Sequence, residues 1–310
     1  MVTQNAESLP LMTHPIQTSR SARIAPAGLI FLAITSLGWG LNWPITKHIL
    51  TEWPPLSARG WTGVAGGALL AALALASGQS LRIPAAQWPR LLLVAFLNVT
   101  CWMTLMGLAL LWLPASEAAV IAYTMPVWAS LLAWLILGER LTWLRVIALV
   151  LAFAGIAALM GGNGISASTD KLPGIAMVLT GAFAFALGTV AAKRWPLSLP
   201  LMTSSAVQIG IGCAPVALAG LVFEHPSLDA LSAVGWALMA YMTVVQFCIA
   251  YVAWFAALTR LPASVAAIGT MAVPVIGVVA SAIALGEPLG AGQIAALVFT
   301  LVGVVLATRS

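Results

Sequence analysis

Long apolar runs separated by short polar breaks make up the chain from residue 27 onward. A helix needs about 20 apolar residues to cross the hydrocarbon core of a bilayer. The breaks contain charged residues, Pro or Gly, and they divide the chain into ten predicted membrane-spanning helices. The predicted spans are 27–50, 56–77, 89–111, 115–137, 143–160, 172–193, 202–223, 230–258, 263–285 and 290–307. This pattern predicts an all-α polytopic membrane protein.

The second half of the chain repeats features of the first. Residues 113–141 align without a gap with residues 261–289, at a constant offset of 148. The matches include two prolines, a serine and a Gly-Glu pair, which an apolar sequence does not supply by chance. A weaker match relates 28–47 to 174–193 at an offset of 146. Five spans per copy is an odd number, so the sequence predicts two inverted five-helix repeats around a central cavity.

Four parts follow from this division. Residues 1–26 are a predicted disordered cytoplasmic tail, and residues 161–171 are a predicted linker. The two predicted five-helix repeats occupy 27–160 and 172–307. The remaining loops are short, so no separate soluble domain is predicted.

Composition and charge favour a protein that lies in the lipid bilayer. Hydrophobic residues make up 62% of the chain and charged residues 7%, whereas soluble domains have about 25% charged residues. The net charge of +5 comes from basic residues scattered beside span ends, so no nucleic-acid partner is predicted. With a cytoplasmic N-terminus, ten basic residues fall on the cytoplasmic side and three on the other. This bias predicts that both termini are cytoplasmic, in a bacterial inner membrane.

No motif of a cofactor enzyme is present in the sequence. We find no GxxxxGK[ST], GxGxxG, HExxH or CxxC pattern. The histidines lie in the tail or at span edges, and the cysteines lie in apolar runs: His14, His48, His225, Cys101, Cys213 and Cys248. We therefore predict that the protein is not an enzyme and needs no cofactor or metal.

Polar and aromatic residues deep in the spans are the candidates for substrate binding. Polar groups in hydrocarbon are costly and usually face a cavity or a neighbouring helix. The alternative is hydrogen bonding between helices, which contributes about 0.6 kcal/mol on average. The candidates are Trp39, Asn42, Asn98, Trp102, Tyr123, Phe185, Gln246, Tyr251, Trp254 and Thr270.

Two prolines and one charged pair complete the candidates. Pro126 and Pro274 occupy equivalent places in spans 4 and 9. Each removes a backbone donor, so both are predicted hinges, with static packing as the alternative. Glu117 and Arg59 lie near the starts of spans 4 and 2, on the same predicted membrane face, and are candidates for an ion pair.

The repeated LPAS…P…LGE pattern and the GWGLNWPITK segment resemble the EamA family of the drug/metabolite transporter superfamily. The resemblance covers about residues 27–307. With its Trp-rich helices, the chain is similar to bacterial aromatic amino acid exporters of that family. The resemblance implies a ten-helix basket around a cavity built from helices 1, 3, 4, 6, 8 and 9. It also implies export of amino acids and related metabolites across the inner membrane.

We therefore expect a secondary transporter that exports aromatic or other apolar amino acids by alternating access, with Asn42, Asn98 and Gln246 binding the amino and carboxyl groups. The alternative is an exporter of drugs or other small metabolites on the same fold. Cationic drugs would favour a central carboxylate, and phosphorylated metabolites would favour Arg or Lys in the cavity; neither is predicted near a span centre. An intramembrane enzyme, a lipid flippase and a structural subunit are supported by no sequence feature. A monomer is expected, although the small residues of spans 2 and 7 could also serve dimerisation.

Overall fold

The computed structural model describes residues 26–139, 142–161, 169–261 and 269–309. Nearly all of the predicted tail and most of the predicted linker fall outside these residues. So do Pro262 to Ser264 of the second Leu-Pro-Ala-Ser motif. Over the described segments the chain is helical and contains no β-strand.

The described helices lie within or close to the predicted spans, and α9 is described only from Ala272. Seven of them, α1–α4 and α6–α8, are long and apolar enough to cross a membrane. The described parts of the other three contain shorter apolar stretches, Val146–Ala158, Ala272–Leu285 and Ala291–Leu306. The bounds are α1 Pro26–Ile49, α2 Pro55–Ala76, α3 Ala85–Ala109, α4 Ala115–Leu137, α5 Trp143–Gly161, α6 Leu172–Arg194, α7 Leu201–Phe223, α8 Ala233–Leu258, α9 Ala272–Leu285 and α10 Ala291–Arg309.

Four helices depart from regular α-helical winding near their middle or at one end. α1 turns at Leu41, and α4 is broken at Tyr123 and Thr124, just before Pro126. Pro126 thus stands in the first turn of a new helical segment, where its missing N–H leaves no bond unmade. α3 contains a π-helical stretch at Phe96–Thr100, and α8 contains one at Met242–Ile249. Such stretches occur frequently at functional sites.

Glycines end α4 and α9 in the same way. Gly138 and Gly286 follow the last residue of each helix with φ angles of +70° and +66°. Glycine adopts this left-handed conformation without steric penalty, which explains why Leu-Gly-Glu recurs at these two places. The glutamate that follows then projects from the end of each helix.

Two helix pairs pack along their length, α2 with α7 and α5 with α10. In the first pair, a methyl group on Gly60 would overlap the backbone of Ala217. A methyl group on Gly67 would lie 2.6 Å from the nitrogen of Gly210. Glycine at these positions lets the backbones approach closely, as is common between membrane helices.

The remaining helices enclose the middle of the molecule. α1 packs against α8 and α9, while α6 packs against α3 and α4, and α4 also contacts α9. Buried apolar residues of α3, α4, α6 and α9 form a core in which Met106, Ile121, Val178 and Val278 are nearly fully buried. This arrangement leaves a central cavity between the helices.

Candidate functional site

A cavity of about 470 Å³ lies in the middle of the described helices, and its walls come from α1, α2, α3, α4, α6, α8 and α9. This volume falls in the range of about 300–1,000 Å³ that is usual for small-molecule sites. All ten side chains predicted to bind substrate line this one cavity. Pro126 lines it as well, but Pro274 does not. Whether the ten residues bind a substrate stays a prediction.

One wall of the cavity is aromatic and joins α1 to α8. The ring of Trp39 lies 5.4 Å from that of Tyr251, edge to face, and 5.9 Å from that of Trp254. Trp39 Nε1 donates a hydrogen bond to the backbone oxygen of Gln246 at 3.4 Å. The indole is therefore fixed by contacts to α8 and presents apolar surface to the cavity.

A second aromatic wall joins α3 to α6. The rings of Trp102 and Phe185 lie 5.1 Å apart in a tilted arrangement. Phe185 aligns with Trp39 at the offset of 146 residues. Aromatic pairs of this kind supply large apolar surfaces of fixed shape, which suits an apolar or aromatic ligand group between them.

Three amide side chains leave an oxygen without a hydrogen-bond partner from the described residues: Asn42 Oδ1, Asn98 Oδ1 and Gln246 Oε1. Asn42 and Gln246 are only 8% and 7% exposed. Buried polar atoms normally have partners, so unpaired ones need an explanation. Asn98 and Gln246 lie 148 residues apart, and both belong to the π-helical stretches of α3 and α8.

Arg59 also lines the cavity, and sequence reasoning missed it. It is the fifth residue of α2 and is only 3% exposed. No Arg or Lys is predicted near a span centre, but Arg59 reaches the cavity from near the start of its span. Arg59 stands near the start of a span in the sequence, but the helix carries its long side chain into the interior. The available signal was a single basic residue inside an apolar span, 56–77, that contains no acidic residue.

Other wall residues lie one helical turn beyond a predicted one. Trp43 shares the predicted face of Trp39 and Asn42 but was not among the candidates, and Thr46 follows Asn42 by four residues. Residues four apart share a helix face, so the same rule also finds further members. Those are Met106, which follows Trp102, and Thr189, which follows Phe185.

Four glutamates lie at helix ends on one end of the bundle, which we call the acidic end: Glu52, Glu117, Glu224 and Glu287. Glu287 follows α9 and accepts hydrogen bonds from the backbone N–H groups of Ala115 and Ser116, at 2.6 and 2.9 Å, and from the Ser116 hydroxyl. A carboxylate at the start of a helix satisfies its free N–H groups and complements the helix dipole. The Leu-Gly-Glu motif of the second half thus caps the Leu-Pro-Ala-Ser motif of the first.

Two more glutamates act in the same way. Glu224 at the end of α7 accepts bonds from the N–H groups of Leu56 and Ser57 at the start of α2, at 2.9 and 2.7 Å. Glu52 accepts bonds from the N–H and the hydroxyl of Ser232, the N-cap residue of α8. These bonds lower the pKa of Glu52 below its ordinary value of 4.5, because they stabilise the ionised carboxylate.

The lysines of this end are also bonded. Lys171 forms an ion pair with Glu117 at 2.8 Å. Lys47 Nζ donates to the backbone oxygens of Leu110 and Leu113. The candidate ion pair between Glu117 and Arg59 is not formed in the structure: Glu117 pairs with Lys171, and Arg59 lines the cavity.

At the opposite end of the bundle, related positions make related contacts. Lys193 pairs with Glu139 at 2.6 Å, and the Thr203 hydroxyl lies 3.3 Å from Gln79 Oε1. Ser198 N–H donates to Gln87 Oε1 at 3.0 Å. The Thr203–Gln79 contact joins α7 to the residues after α2, as the Ser57–Glu224 contact joins α2 to the residue after α7.

No cluster of three or more His, Cys, Asp or Glu residues that could hold a metal ion occurs in the described parts of the chain. The cavity wall offers instead amides, hydroxyls, one guanidinium and aromatic rings. Such a set can bind an amphipathic small molecule by hydrogen bonds, charge and stacking.

Comparison with known families assigns this architecture to a class of membrane transporters. The model of the EamA-like transporter family matches the chain twice, over residues 26–161 and 172–309. The chain therefore belongs to the EamA-like transporter family.

Individual relatives agree with this assignment. The chain is 31% identical over 277 residues to "Uncharacterized transporter YvbV" of Bacillus subtilis, covering 89% of this chain and 90% of that protein. It is 27% identical to a "Probable terminal-alkyne amino-acid exporter" of Streptantibioticus cattleyicolor, covering 70% and 72% of the two chains. A solved crystal structure with 22% identity superposes with a TM-score of 0.66 over 91% of this chain and 96% of its own, which supports the fold.

Proposed function

We propose that this transporter exports amino acids with aromatic or other apolar side chains. The observation that carries the proposal is the cavity wall, which includes two aromatic groups and three amide side chains whose oxygens have no hydrogen-bond partner among the described residues. The aromatic rings would enclose the side chain, and the amide oxygens of Asn42, Asn98 and Gln246 would accept hydrogen bonds from the ammonium group. The resemblance to a probable amino-acid exporter supports the same substrate class.

We further propose that ten spans form two inverted five-helix repeats, bounded at 27–160 and 172–307. The separate match of the same family model to each half supports the duplication. The related contacts at the two ends, Ser57 with Glu224 and Thr203 with Gln79, support the inversion. In such transporters the substrate site lies at the interface of the repeats, near the middle of the membrane.

We assign the acidic end to the outer face of a bacterial inner membrane, with both termini cytoplasmic. The support is the distribution of basic residues. Five of those with described positions lie at the opposite end, which would face the cytoplasm: Arg82, Arg90, Lys193, Arg194 and Arg260. Cytoplasmic loops are enriched in Lys and Arg.

Alternating access would then require the acidic end to open. The bonds of Glu52, Glu224 and Glu287 all join one half of the chain to the other. In the structure they hold the outer ends of α2, α4 and α8 against the other half. Movement of these ends apart, with bending at the break before Pro126 and near Pro274, would expose the cavity to the outside.

Export of drugs or other metabolites is the alternative on this fold. None of the described acidic residues lines the cavity, and a cationic drug would be expected to need one. Export of neutral metabolites is distinguished from amino acid export by the transport experiment below.

The test is uptake of radiolabelled tryptophan, phenylalanine and methionine into liposomes that contain the purified protein, with and without a pH gradient. Saturable uptake that is absent from empty liposomes, and is reduced in the Asn98→Ala variant, supports the proposal. A folded protein that transports none of the three contradicts it. Uptake of a competing neutral metabolite in that case would identify the alternative.

A further inference from the structure

Arg59 is a buried cation that forms no ion pair with a carboxylate of the described residues. Its Nη1 donates to the Thr46 hydroxyl at 3.4 Å, which is long for a hydrogen bond. Its Nε has no hydrogen-bond partner from the described residues. None of the ion pairs observed in the described segments includes it. By contrast, Lys171 at the acidic end is held by a carboxylate at 2.8 Å.

The acidic residues of the chain are too few and too peripheral to neutralise Arg59. The chain has eight of them, and apart from Glu7, which lies outside the described residues, none lines the cavity. Among the described residues, Cys213 and Tyr251 carry the ionisable side chains near enough to act electrostatically on Arg59. Both a thiol and a phenol are neutral near pH 7. The cavity therefore carries a net positive charge at this point.

An unpaired guanidinium at membrane depth is costly and stays charged at any physiological pH. Such residues usually face a cavity and mark a substrate path. The Arg59 side chain packs against Gly107 of α3, which has no side chain of its own. A methyl group on Gly107 would lie 3.1 Å from Arg59 Cγ. The side chain is thus seated against α3 with its polar head at the cavity.

We propose that Arg59 binds the carboxylate of the transported molecule. This inference deepens the proposed function and rests on it. A planar guanidinium donates two parallel hydrogen bonds to a carboxylate, which is stronger than bonding to a neutral group. The amide oxygens would accept from the ammonium group, and the aromatic walls would hold the side chain. The site thus selects molecules with a free carboxylate and rejects amines and amides of the same shape.

The competing explanation is that Arg59 only positions Thr46 and the start of α2. The two explanations differ in what they predict for ligands. A positioning role lowers binding of every ligand alike when Arg59 is changed. A carboxylate-binding role lowers binding only of ligands that carry a carboxylate.

The experiment measures the rise in melting temperature of the purified full-length protein with four compounds. They are tryptophan, tryptophanamide, tryptamine and indole-3-propionate, the last of which has a carboxylate but no ammonium group. We expect tryptophan to bind about 10- to 100-fold more tightly than the amide and the amine, since a charged hydrogen-bonding partner is lost. In Arg59→Gln that preference disappears, and Arg59→Lys keeps part of it because the charge remains without the planar fork.

The outcomes distinguish the proposed role of Arg59 from the proposed export of amino acids. Equal binding of tryptophan, its amide and tryptamine to the wild type contradicts the role of Arg59 and leaves amino acid export standing. Binding of indole-3-propionate alone, lost in Arg59→Gln, supports the carboxylate role but contradicts amino acid export. Binding of none of the four contradicts both. The wild-type series decides the question even if the variants do not fold.

Discussion

The acidic end and the central cavity use polar groups in opposite ways. At the acidic end, Glu52, Glu224 and Glu287 each accept bonds from the start of another helix, and Glu117 pairs with Lys171. In the cavity, by contrast, three amide oxygens and the Nε of Arg59 have no partner from the described residues.

If the proposed function is correct, this difference separates residues that hold the fold from residues that bind the substrate. A paired polar group in a membrane protein stabilises the folded state, whereas an unpaired buried one destabilises it. Natural proteins accept such destabilisation mainly where function needs it. Changes at the acidic end should therefore lower stability first, and changes in the cavity should lower transport first.

The largest effect on stability is expected for Glu287→Ala. The change leaves the N–H groups of Ala115 and Ser116 and the Ser116 hydroxyl without their carboxylate. We expect a loss of about 1–3 kcal/mol of unfolding free energy, which thermal unfolding in detergent would measure. Asp229→Ala is the matched control, since Asp229 lies exposed in an adjacent loop at the same end. If the two variants melt at the same temperature, the capping account is wrong.

In the cavity, Asn98→Ala and Gln246→Met should lower transport without lowering thermal stability. Each change removes one amide oxygen that would accept from the ammonium group, so transport of phenylalanine should fall about 10-fold or more, the effect of one hydrogen bond to a charged group. The melting temperature without substrate should not fall. Gln208→Met is the control, because Gln208 bonds to Ser204 within α7 and does not line the cavity. An equal loss of transport in Gln208→Met would show that the cavity amides have no special role in transport.

A smaller effect is expected when the hinge prolines are replaced. Pro126→Ala restores a backbone donor in the first turn of the second α4 segment, and Pro274→Ala restores one in the first turn of α9. The turns that precede them, at Tyr123–Thr124 and Thr270–Met271, then become easier to close into continuous helix. We expect transport rates to fall a few-fold, by less than in the amide variants, with little change in substrate affinity. Initial-rate uptake over a range of concentrations checks this. Unchanged rates in both variants would show that the prolines serve packing only.

Substitution of two glycines, one beside Asn98 and one with open space around it, compares an indirect effect on the cavity with none. A methyl group on Gly188 would overlap Asn98 Oδ1, whereas one on Gly210 meets no atom within 4 Å. Gly188→Ala should displace the Asn98 side chain and lower substrate affinity by about twofold or more. Gly210→Ala should leave affinity unchanged and raise stability by up to about 1 kcal/mol, as in other helix interiors. Equilibrium binding of phenylalanine to both variants makes the measurement.

The smallest effect concerns acid stability at Glu52. Hydrogen bonds from Ser232 hold the pKa of Glu52 below its ordinary value of 4.5. A depressed folded-state pKa contributes stability above the unfolded pKa, and that contribution is lost as the pH falls through the folded pKa. The melting temperature of Glu52→Gln should therefore be lower than that of the wild type at neutral pH. The gap should narrow below pH 4.5; a gap that is constant with pH would contradict the prediction.

Much of the cavity was predictable because depth and helical spacing can be estimated from a single sequence. Asn98 and Trp102 are four residues apart near the middle of a span, and both line the cavity. Such residues face one direction on a helix, and their polarity indicates that this direction is not lipid.

What the sequence could not provide depends on contacts between distant residues. Glu287 bonds to residues 171 and 172 positions earlier in the chain. The repeat showed that the two copies of the motif correspond, but not that one copy caps the other. Arg59 was misplaced for a related reason. A span boundary predicts where a helix begins. The tilt of the helix and its neighbours determine where the end of a long side chain lies.

The most direct test of the account is equilibrium binding of radiolabelled phenylalanine to the purified wild type and to the double variant Asn98→Ala/Gln246→Met. We expect saturable binding to the wild type and at least tenfold weaker binding to the double variant. Without ligand, the double variant should have equal or higher thermal stability than the wild type. Equal affinities for the two proteins, or a double variant that loses stability as Glu287→Ala does, would contradict the claim that the unpaired cavity groups await a substrate.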